Sequence, residues 1–318
     1  MSVLYLTEDD VRQLLTMDVA LPAVESALRK VALDEAQNIP RQRCQTDQVM
    51  LHILPAAAKT LGTIGYKAYT TTRAGAQFHV TLFDPKTGDM LALIRADYLG
   101  QIRTGAATGV ATKKLARPGA ATVGIYGSGR QARMQLEAIC KVRTIARAHV
   151  YSRDADRREA FAKEMSAKCG TEVVPVAAPE EAARGLDIVV TATSSREPVL
   201  HGEWVAAGAH VNLIGSNFLA KAEVDVELFR RAALVVADSK EQAKLEAGDF
   251  VAALKENALN WADVRDLPNV LVGRYPGRAS AQDITVFKSL GLGIEDIAVA
   301  VKVYELARAG GAGVELPV

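Results

Sequence analysis

Residues 122–132 read TVGIYGSGRQA: an apolar pentad that runs straight into a loop with two glycines and then into a helix. Each small residue there has a physical task. Gly127 permits a tight strand-to-helix turn, Gly129 lets the backbone approach a pyrophosphate, and Ala132 lets the helix pack closely on the strand. Ser128, Arg130 and Gln131 fill the remaining positions. The N–H groups of the opening helix point at whatever negative charge the loop receives. A two-glycine βα turn also occurs without a ligand. Here three features surround it: an apolar strand before, a helix after, and a second strand ending about twenty residues on.

Downstream the same texture repeats. Candidate strands lie at Thr122–Tyr126, Ala148–Ser152, Glu172–Val176, Ile188–Ala192, His210–Ile214 and Leu234–Ala237, with helices between them at Gln131–Lys141 and Asp154–Lys168. Short, nearly continuous apolar strands alternating with helices predict an α/β fold, a Rossmann doubly wound parallel sheet covered on both faces. Arg117-Pro118-Gly119 punctuates the chain upstream, so this unit is expected to span 117–290. Residues 1–116 differ. A short strand leads into a helix opened by Thr7, with Asp10 in capping-box position, and a second helix follows Met17-Asp18. Four β-like runs come next: Val49–Leu54, Thr63–Thr70, Phe78–Asp84 and Met90–Ala96, separated by turns such as Pro85-Lys86-Thr87-Gly88-Asp89. A small-residue helix over 103–115 closes an α+β domain. A last amphipathic helix, Gly291–Ala309, is expected to fold back onto it, so that about 291–318 belongs with the first domain.

Bulk properties exclude several classes of function. Among 318 residues the formal net charge is +1, with 24% charged and 5% aromatic residues. That balance gives no case for nucleic acid or for an anionic membrane. No run approaches the ~18 apolar residues of a membrane span. Cys44, Cys140 and Cys169 form no CxxC pair and read as free thiols in a reducing compartment, so a cytoplasmic setting is expected. His52, His149, His201 and His210 share no ligand spacing, which predicts no metal. His79 sits in an apolar strand, either as a structural histidine or within reach of a pocket.

The second strand of the doubly wound unit bears on the choice of nucleotide. A ribose 2′-hydroxyl is usually met there by Asp or Glu, a 2′-phosphate by a basic residue. The chain reads Val150-Tyr151-Ser152-Arg153-Asp154, with Arg157 close behind. Ser152 can donate to a phosphate oxygen and Arg153 can pair with it, which favours NADP(H) over NAD(H). The alternative is that Arg153 lies in a solvated turn and Asp154 holds an NAD ribose. Thr191 and Ser194, just past the fourth strand, fall at the carboxyl edge where nucleotides bind in such sheets.

At this point the chain resembles the ornithine cyclodeaminase/mu-crystallin family along almost its whole length. The matching stretches include GYKAYTT (65–71), QIRTGAATGVATKKLARPGAATVGIYGSGRQA (101–132), HVYSRD (149–154), NLIGSN (212–217), ADSKEQAKLEAGDF (237–250) and DITVFKSLGLGIEDIA (283–298). The resemblance implies a substrate-binding and dimerisation domain beside the Rossmann domain, hence a homodimer. It also implies hydride exchange between a nicotinamide and an α-amino or α-imino acid. Arg41 in IPRQR, with Arg43 as the alternative, and Lys67 and Arg103 match the family's substrate-binding residues. Ser289, with Thr285 and Lys288, falls in its cofactor-facing segment. The residues themselves agree with this. A carboxylate suits a planar arginine clamp, and Lys67 interrupts an apolar strand, where a charge is costly without a partner.

One departure narrows the activity. Cyclodeaminase members carry an aspartate after the fifth strand, where this chain has Asn217, and an amide takes up no proton at neutral pH. Asp225 reads instead as a helix-start residue and Asp238 as a strand end. Reduction of a cyclic or open α-imino acid of the Δ1-pyrroline-2-carboxylate or Δ1-piperideine-2-carboxylate type is therefore the leading expectation, with L-amino-acid oxidation as its reverse. Ornithine cyclodeamination is the first alternative. The second is a non-catalytic NADPH-dependent small-ligand binder of the mu-crystallin type.

Overall fold

A computed structural model describes residues 2–317. It opens with β1 (Ser2–Leu6) and a helix α1 (Glu8–Leu14) whose start is fixed chemically. Thr7 Oγ1 accepts from the Asp10 N–H at 3.2 Å, and the Asp10 carboxylate accepts from the Thr7 N–H at 2.8 Å. Two of the helix's orphan donors are thereby met. Helix α2 (Met17–Ala32) buries Ala20, Val24, Ala27 and Leu28 along one stripe. Two short strands, β2 (Ala36–Asn38) and β3 (Gln42–Gln45), precede an antiparallel meander of β4 (Met50–Ala58), β5 (Thr63–Thr72), β6 (Gly75–Phe83) and β7 (Met90–Arg95). Helix α3 (Asp97–Leu115) follows, six residues longer at its start than the small-residue pattern alone suggests.

The chain then builds a second sheet from β8 (Thr122–Tyr126), α4 (Arg130–Val142), β9 (Arg147–Tyr151), α5 (Ala155–Cys169), β10 (Glu172–Pro175), β11 (Ile188–Thr191) and β12 (His210–Leu213). It continues through α6 (Val226–Arg231), β13 (Ala232–Ala237), α7 (Lys240–Glu246), α8 (Gly248–Lys255), β14 (Val264–Asp266), α9 (Leu267–Leu271) and β15 (Ile284–Lys288). The last elements are α10 (Gly293–Gly310) and β16 (Val314–Pro317).

These elements fall into two units, residues 1–103 with 291–318, and residues 104–290. The first division lies inside α3, upstream of the Arg117-Pro118-Gly119 punctuation, because the helix runs unbroken through that point. In the first unit the strand order is β16-β1-β7-β6-β5-β4-β2, with β3 on β4. Helix α10 packs against β4, β5 and α2. Its sequence pattern predicts one polar face, yet every residue from Gly293 to Val301 is buried. A helix covered all round has no room for polar residues that are not doing something specific. Glu295 and Asp296 stand out for that reason.

The second unit is the doubly wound sheet, with all strands parallel in the order β10-β9-β8-β11-β12-β15-β13-β14. The order reverses direction between β8 and β11, and the carboxyl ends of strands at such a switch point are where ligands bind in open α/β sheets. Strand β15 had no place in the sequence-based strand assignment. It lies in the middle of the sheet, between β12 and β13, and all five of its residues are buried. Ser280-Ala281-Gln282-Asp283 before it has the spacing of a helix capping box, yet starts no helix. The Asp283 carboxylate instead accepts from the Ala279 and Ser280 N–H groups and shapes the turn into β15. Among the described residues no helix is long and apolar enough to cross a membrane.

Candidate active site

In the first unit the charged side chains that the sequence singled out come together on the acidic start of α10. Lys67, on β5, is 3% exposed, and its Nζ donates to Asp296 Oδ1 at 2.9 Å. Arg103, from the first turns of α3, donates from Nε to the same Asp296 oxygen at 2.9 Å and from Nη1 to Glu295 Oε2 at 2.8 Å. Arg41, also buried, donates from Nη2 to the carbonyl of Gly291 at 3.2 Å. Arg43 lies elsewhere: its Nε donates to His52 Nδ1 at 3.2 Å. The geometry therefore gathers Arg41 and not Arg43.

Two glycines make room for these cations. A Cβ at Gly100 would sit 2.6 Å from Lys67 Nζ, and one at Gly291 would sit 2.5 Å from Arg103 Nη1. Gly291 also holds φ +78°, a left-handed conformation that favours glycine. The two carboxylates occupy the first turn of α10, where the helix dipole favours negative charge.

Among the described residues of this cluster there are three cationic side chains, Arg41, Lys67 and Arg103, and two carboxylates, Glu295 and Asp296, all in a buried place. Lys67 registers the two arginines. Burial is the largest influence on it, and Arg103 and Arg41 act in the same direction. Together they pull its pKa down to about 8 against the opposing pull of Asp296. His52, stacked on Tyr69 with ring centroids 4.1 Å apart, is pushed down to about 4 by burial and by Arg43 and Arg41. It is neutral near pH 7 and adds no charge. His79, on β6, is likewise lowered by burial and by Arg95. Buried guanidinium groups gathered in this way have the charge and planar donors that suit a carboxylate.

In the second unit the Gly127–Ala132 loop joins β8 to α4. Gly127 has φ +107°, and a Cβ there would lie 2.5 Å from the carbonyl oxygen of Ala192, so glycine is required. Gly129 caps α4 and is different: nothing lies within 4 Å of where its Cβ would be. Its small size serves no internal packing. It leaves open space at a helix N-terminus, which fits a pyrophosphate. Ala132 is buried against the sheet. Ser128 Oγ donates to Ser152 Oγ at 3.1 Å, tying the loop to the end of β9, while Ser152 donates to the Asp154 carbonyl at 2.9 Å. Asp154 caps α5, accepting from the Arg157 N–H at 3.0 Å, and Arg157 Nε pairs with its carboxylate at 3.2 Å. Arg153 is exposed beside them. Arg130 is exposed and Gln131 half-buried at the mouth of the loop, where Gln131 Oε1 accepts from Gln135 Nε2. Arg133, which the sequence reading did not single out, donates to the Ser128 carbonyl at 2.7 Å and fixes the loop from behind.

The carboxyl edge holds the remaining candidates. Thr191 is fully buried and donates to Glu223 Oε2 at 2.8 Å. Ser194 is exposed in the segment after β11, and Asn217 is half-buried in the loop after β12. Ser289 follows β15 and faces inward, donating to Asp238 Oδ2 at 3.3 Å. Asp225 caps α6, and Asp238 follows β13. Two buried acidic groups escaped the sequence reading altogether: Glu295 with Asp296 in the first unit, and Glu223 with Asp249 in the second. Their signal was present as carboxylates inside apolar surroundings, GIEDIAVA for the first pair and LEAGDFVAAL around Asp249.

A buried cluster of cations in an α+β unit and a two-glycine loop at a helix start in a Rossmann unit define a two-unit, dinucleotide-type α/β protein. The chain belongs to the ornithine cyclodeaminase/mu-crystallin family, whose sequence model it matches over residues 2–311. It is 38% identical over 317 residues to the alanine dehydrogenase of Archaeoglobus fulgidus, covering 96% of each chain. Among solved structures it resembles the Δ1-pyrroline-2-carboxylate reductase of Thermococcus litoralis in complex with NADH and L-proline, with a TM-score of 0.94 and 34% identity. That match covers 99% of this chain and 100% of the other. It also resembles an archaeal alanine dehydrogenase dimer with bound NAD, with a TM-score of 0.92 and 36% identity over 100% and 99% of the two chains.

Proposed function

We propose that the protein is an NAD(P)H-dependent oxidoreductase that reduces cyclic or open α-imino acids, of the Δ1-pyrroline-2-carboxylate or Δ1-piperideine-2-carboxylate class, and oxidises the matching L-amino acid in reverse. The observation that carries this reading is the gathering of Arg41, Lys67 and Arg103 in one buried cluster. Such a cluster suits a monocarboxylate, and two guanidinium groups present the planar donors that a carboxylate accepts from. The dinucleotide, when bound, supplies the hydride.

The chain's own residues do the rest. Arg41 and Arg103 hold the carboxylate, and Glu295 and Asp296 keep Arg103 in register. Lys67, with a pKa near 8, is protonated over most of the physiological range yet loses its proton readily. It is suited to keep the imine nitrogen protonated, directly or through water. An iminium is far more electrophilic than a neutral imine, and burial amplifies that electrostatic effect. Asp296 Oδ2 is buried with no hydrogen-bond partner, and a substrate iminium N–H would supply the missing donor.

For the cofactor we favour NADP(H) over NAD(H). Exposed Arg153, and Ser152 tied to the phosphate loop through Ser128, suit a 2′-phosphate. Asp154 spends its carboxylate on the α5 cap and Arg157, which leaves it less suited to a ribose. Asn217, without a titratable proton, weighs against ornithine cyclodeamination. We take the partners to be a small imino- or amino-acid substrate and a second copy of the chain, since a similar archaeal alanine dehydrogenase is a dimer. Three free cysteines suit a reducing, cytoplasmic setting. The test is a spectrophotometric screen of cyclic imines and amino acids with both dinucleotides. Imine-dependent consumption of reduced cofactor is expected. Proline and ammonia made from ornithine without net cofactor turnover would favour the cyclodeaminase reading. Saturable binding of a non-amino-acid ligand with no turnover would favour the binding-protein reading.

A further inference from the structure

We infer that Glu223 is a positioning residue that shapes the dinucleotide edge of the second unit before the cofactor arrives. This rests on the functional reading above. Glu223 is fully buried, on the segment between β12 and α6. Its Oε1 accepts from the N–H and the Oγ1 of Thr193, both at 2.7 Å. Its Oε2 accepts from Thr191 Oγ1 at 2.8 Å and from the Gly215 N–H at 2.7 Å. One side chain thus ties together the segments that follow β11 and β12, next to the point where strand order reverses.

The fit is tight. A Cβ on Gly215 would come within 2.4 Å of Glu223 Oε1, so glycine lets the loop close onto the carboxylate. The backbone is held as well: the Glu223 N–H donates to Asp249 Oδ1 at 2.6 Å, and the Glu223 carbonyl accepts from the Val199 and Leu200 N–H groups. Asp249 pairs with the fully buried Lys288 at 2.8 Å, and Lys288 donates on to the Ser216 carbonyl at 2.6 Å, one residue before Asn217. The ends of β11, β12 and β15 therefore meet in one buried network.

Only a carboxylate satisfies this arrangement. Four donors converge on two oxygens, and a glutamine would turn an NH2 group toward two of them. Keeping the charge there is costly, since burial and the nearby Asp249 both push the Glu223 pKa upward. Packing alone would be served by an apolar side chain. What an apolar side chain cannot do is fix two loops at a nucleotide edge, and fixing them in advance spares the cofactor the cost of ordering them.

The test compares dinucleotide affinity, measured by fluorescence or calorimetry on the full-length protein, with the steady-state constants. Glu223→Gln is expected to raise the dissociation constants of NADPH and NADH about tenfold or more, as loss of charge-assisted hydrogen bonds does. The KM for the imino acid at saturating cofactor should move by less than about threefold, because the carboxylate clamp lies in the other unit. Should Glu223→Gln fail to fold, Thr193→Val decides: it removes one donor, leaves the carboxylate, and is expected to weaken dinucleotide binding about threefold to tenfold. Unchanged affinity in the folded variant overturns the inference, and so does an equal rise in both constants with a lowered melting temperature. Wild-type protein that binds neither dinucleotide overturns the functional reading, and this inference with it.

Discussion

Among the described residues two lysines are almost wholly buried, each salt-bridged to an aspartate at nearly the same distance, and they have opposite surroundings. Lys67 meets Asp296 at 2.9 Å in the first unit, and Lys288 meets Asp249 at 2.8 Å in the second. Around Lys67 the other charges include the cations Arg41 and Arg103. Around Lys288 they include the carboxylate Glu223, which four protein donors already satisfy. A buried gathering of cations suits a ligand of the opposite sign; a buried carboxylate met by the protein's own N–H and O–H groups holds loops in place.

The largest effect should come from the positive cluster. Arg103→Met leaves Glu295 and Asp296 short of a partner and removes half of the clamp. Truncating one partner of a buried charge pair in a binding contact costs about 2–5 kcal/mol, so kcat/KM for the imino acid should fall about 10²–10³-fold. Dinucleotide affinity, read by fluorescence, should stay within about twofold. If the two fall together, the units do not divide the work as described.

Next in size is a contrast between two glycines of one loop. Gly129→Ala points its methyl into open space, so the melting temperature should hold while dinucleotide affinity falls about tenfold to a hundredfold. Gly127→Ala meets the Ala192 carbonyl and forces a positive φ on alanine, so it should lower the melting temperature itself. Undiminished cofactor binding by Gly129→Ala would remove the phosphate from that space.

Lys67 sharpens the comparison through pH. Its ammonium is present below its pKa of about 8 and lost above it. Reductive kcat/KM should therefore fall as pH rises through about 8. Lys67→Met should abolish that limb and lower the acid-side plateau about 10²-fold, in the range of a lost general acid. A limb that survives in Lys67→Met would assign the proton to another group. The smallest effect belongs to the rim. Arg153→Ser should shift the NADPH-to-NADH affinity ratio by about tenfold toward NADH, the worth of one exposed charge-assisted contact. No shift would place the 2′-phosphate contact elsewhere.

The doubly wound unit was legible because its strands are short apolar runs with breakers between them, and TVGIYGSGRQA marks its first strand, turn and helix. Strand β15 was not legible. Its ITVFK opens after what looks like a capping box, and only the sheet reveals that Asp283 shapes a turn. The proposed clamp residues Arg41, Lys67 and Arg103 were nameable, and so were the loop residues. The acids that hold them were not, because long-range pairs leave no local pattern: Asp296 lies 229 residues from Lys67 in the chain. The α10 pattern read as amphipathic for the same reason, since its two charges are spaced like a polar face but are answered from β5 and α3. Glu223 was hidden likewise, as an ordinary acid in KAEVDVE.

The most direct measurement follows the nicotinamide absorbance of the wild-type protein with Δ1-pyrroline-2-carboxylate and, separately, Δ1-piperideine-2-carboxylate, in parallel with an imine of the same ring lacking the carboxylate. The predicted result is cofactor oxidation that matches the amino acid formed for at least one carboxylate-bearing imine, and none for the analogue without it. Protein that binds dinucleotide yet turns over neither imine, or turns over both kinds equally, would contradict the assignment of the buried positive cluster to a substrate carboxylate.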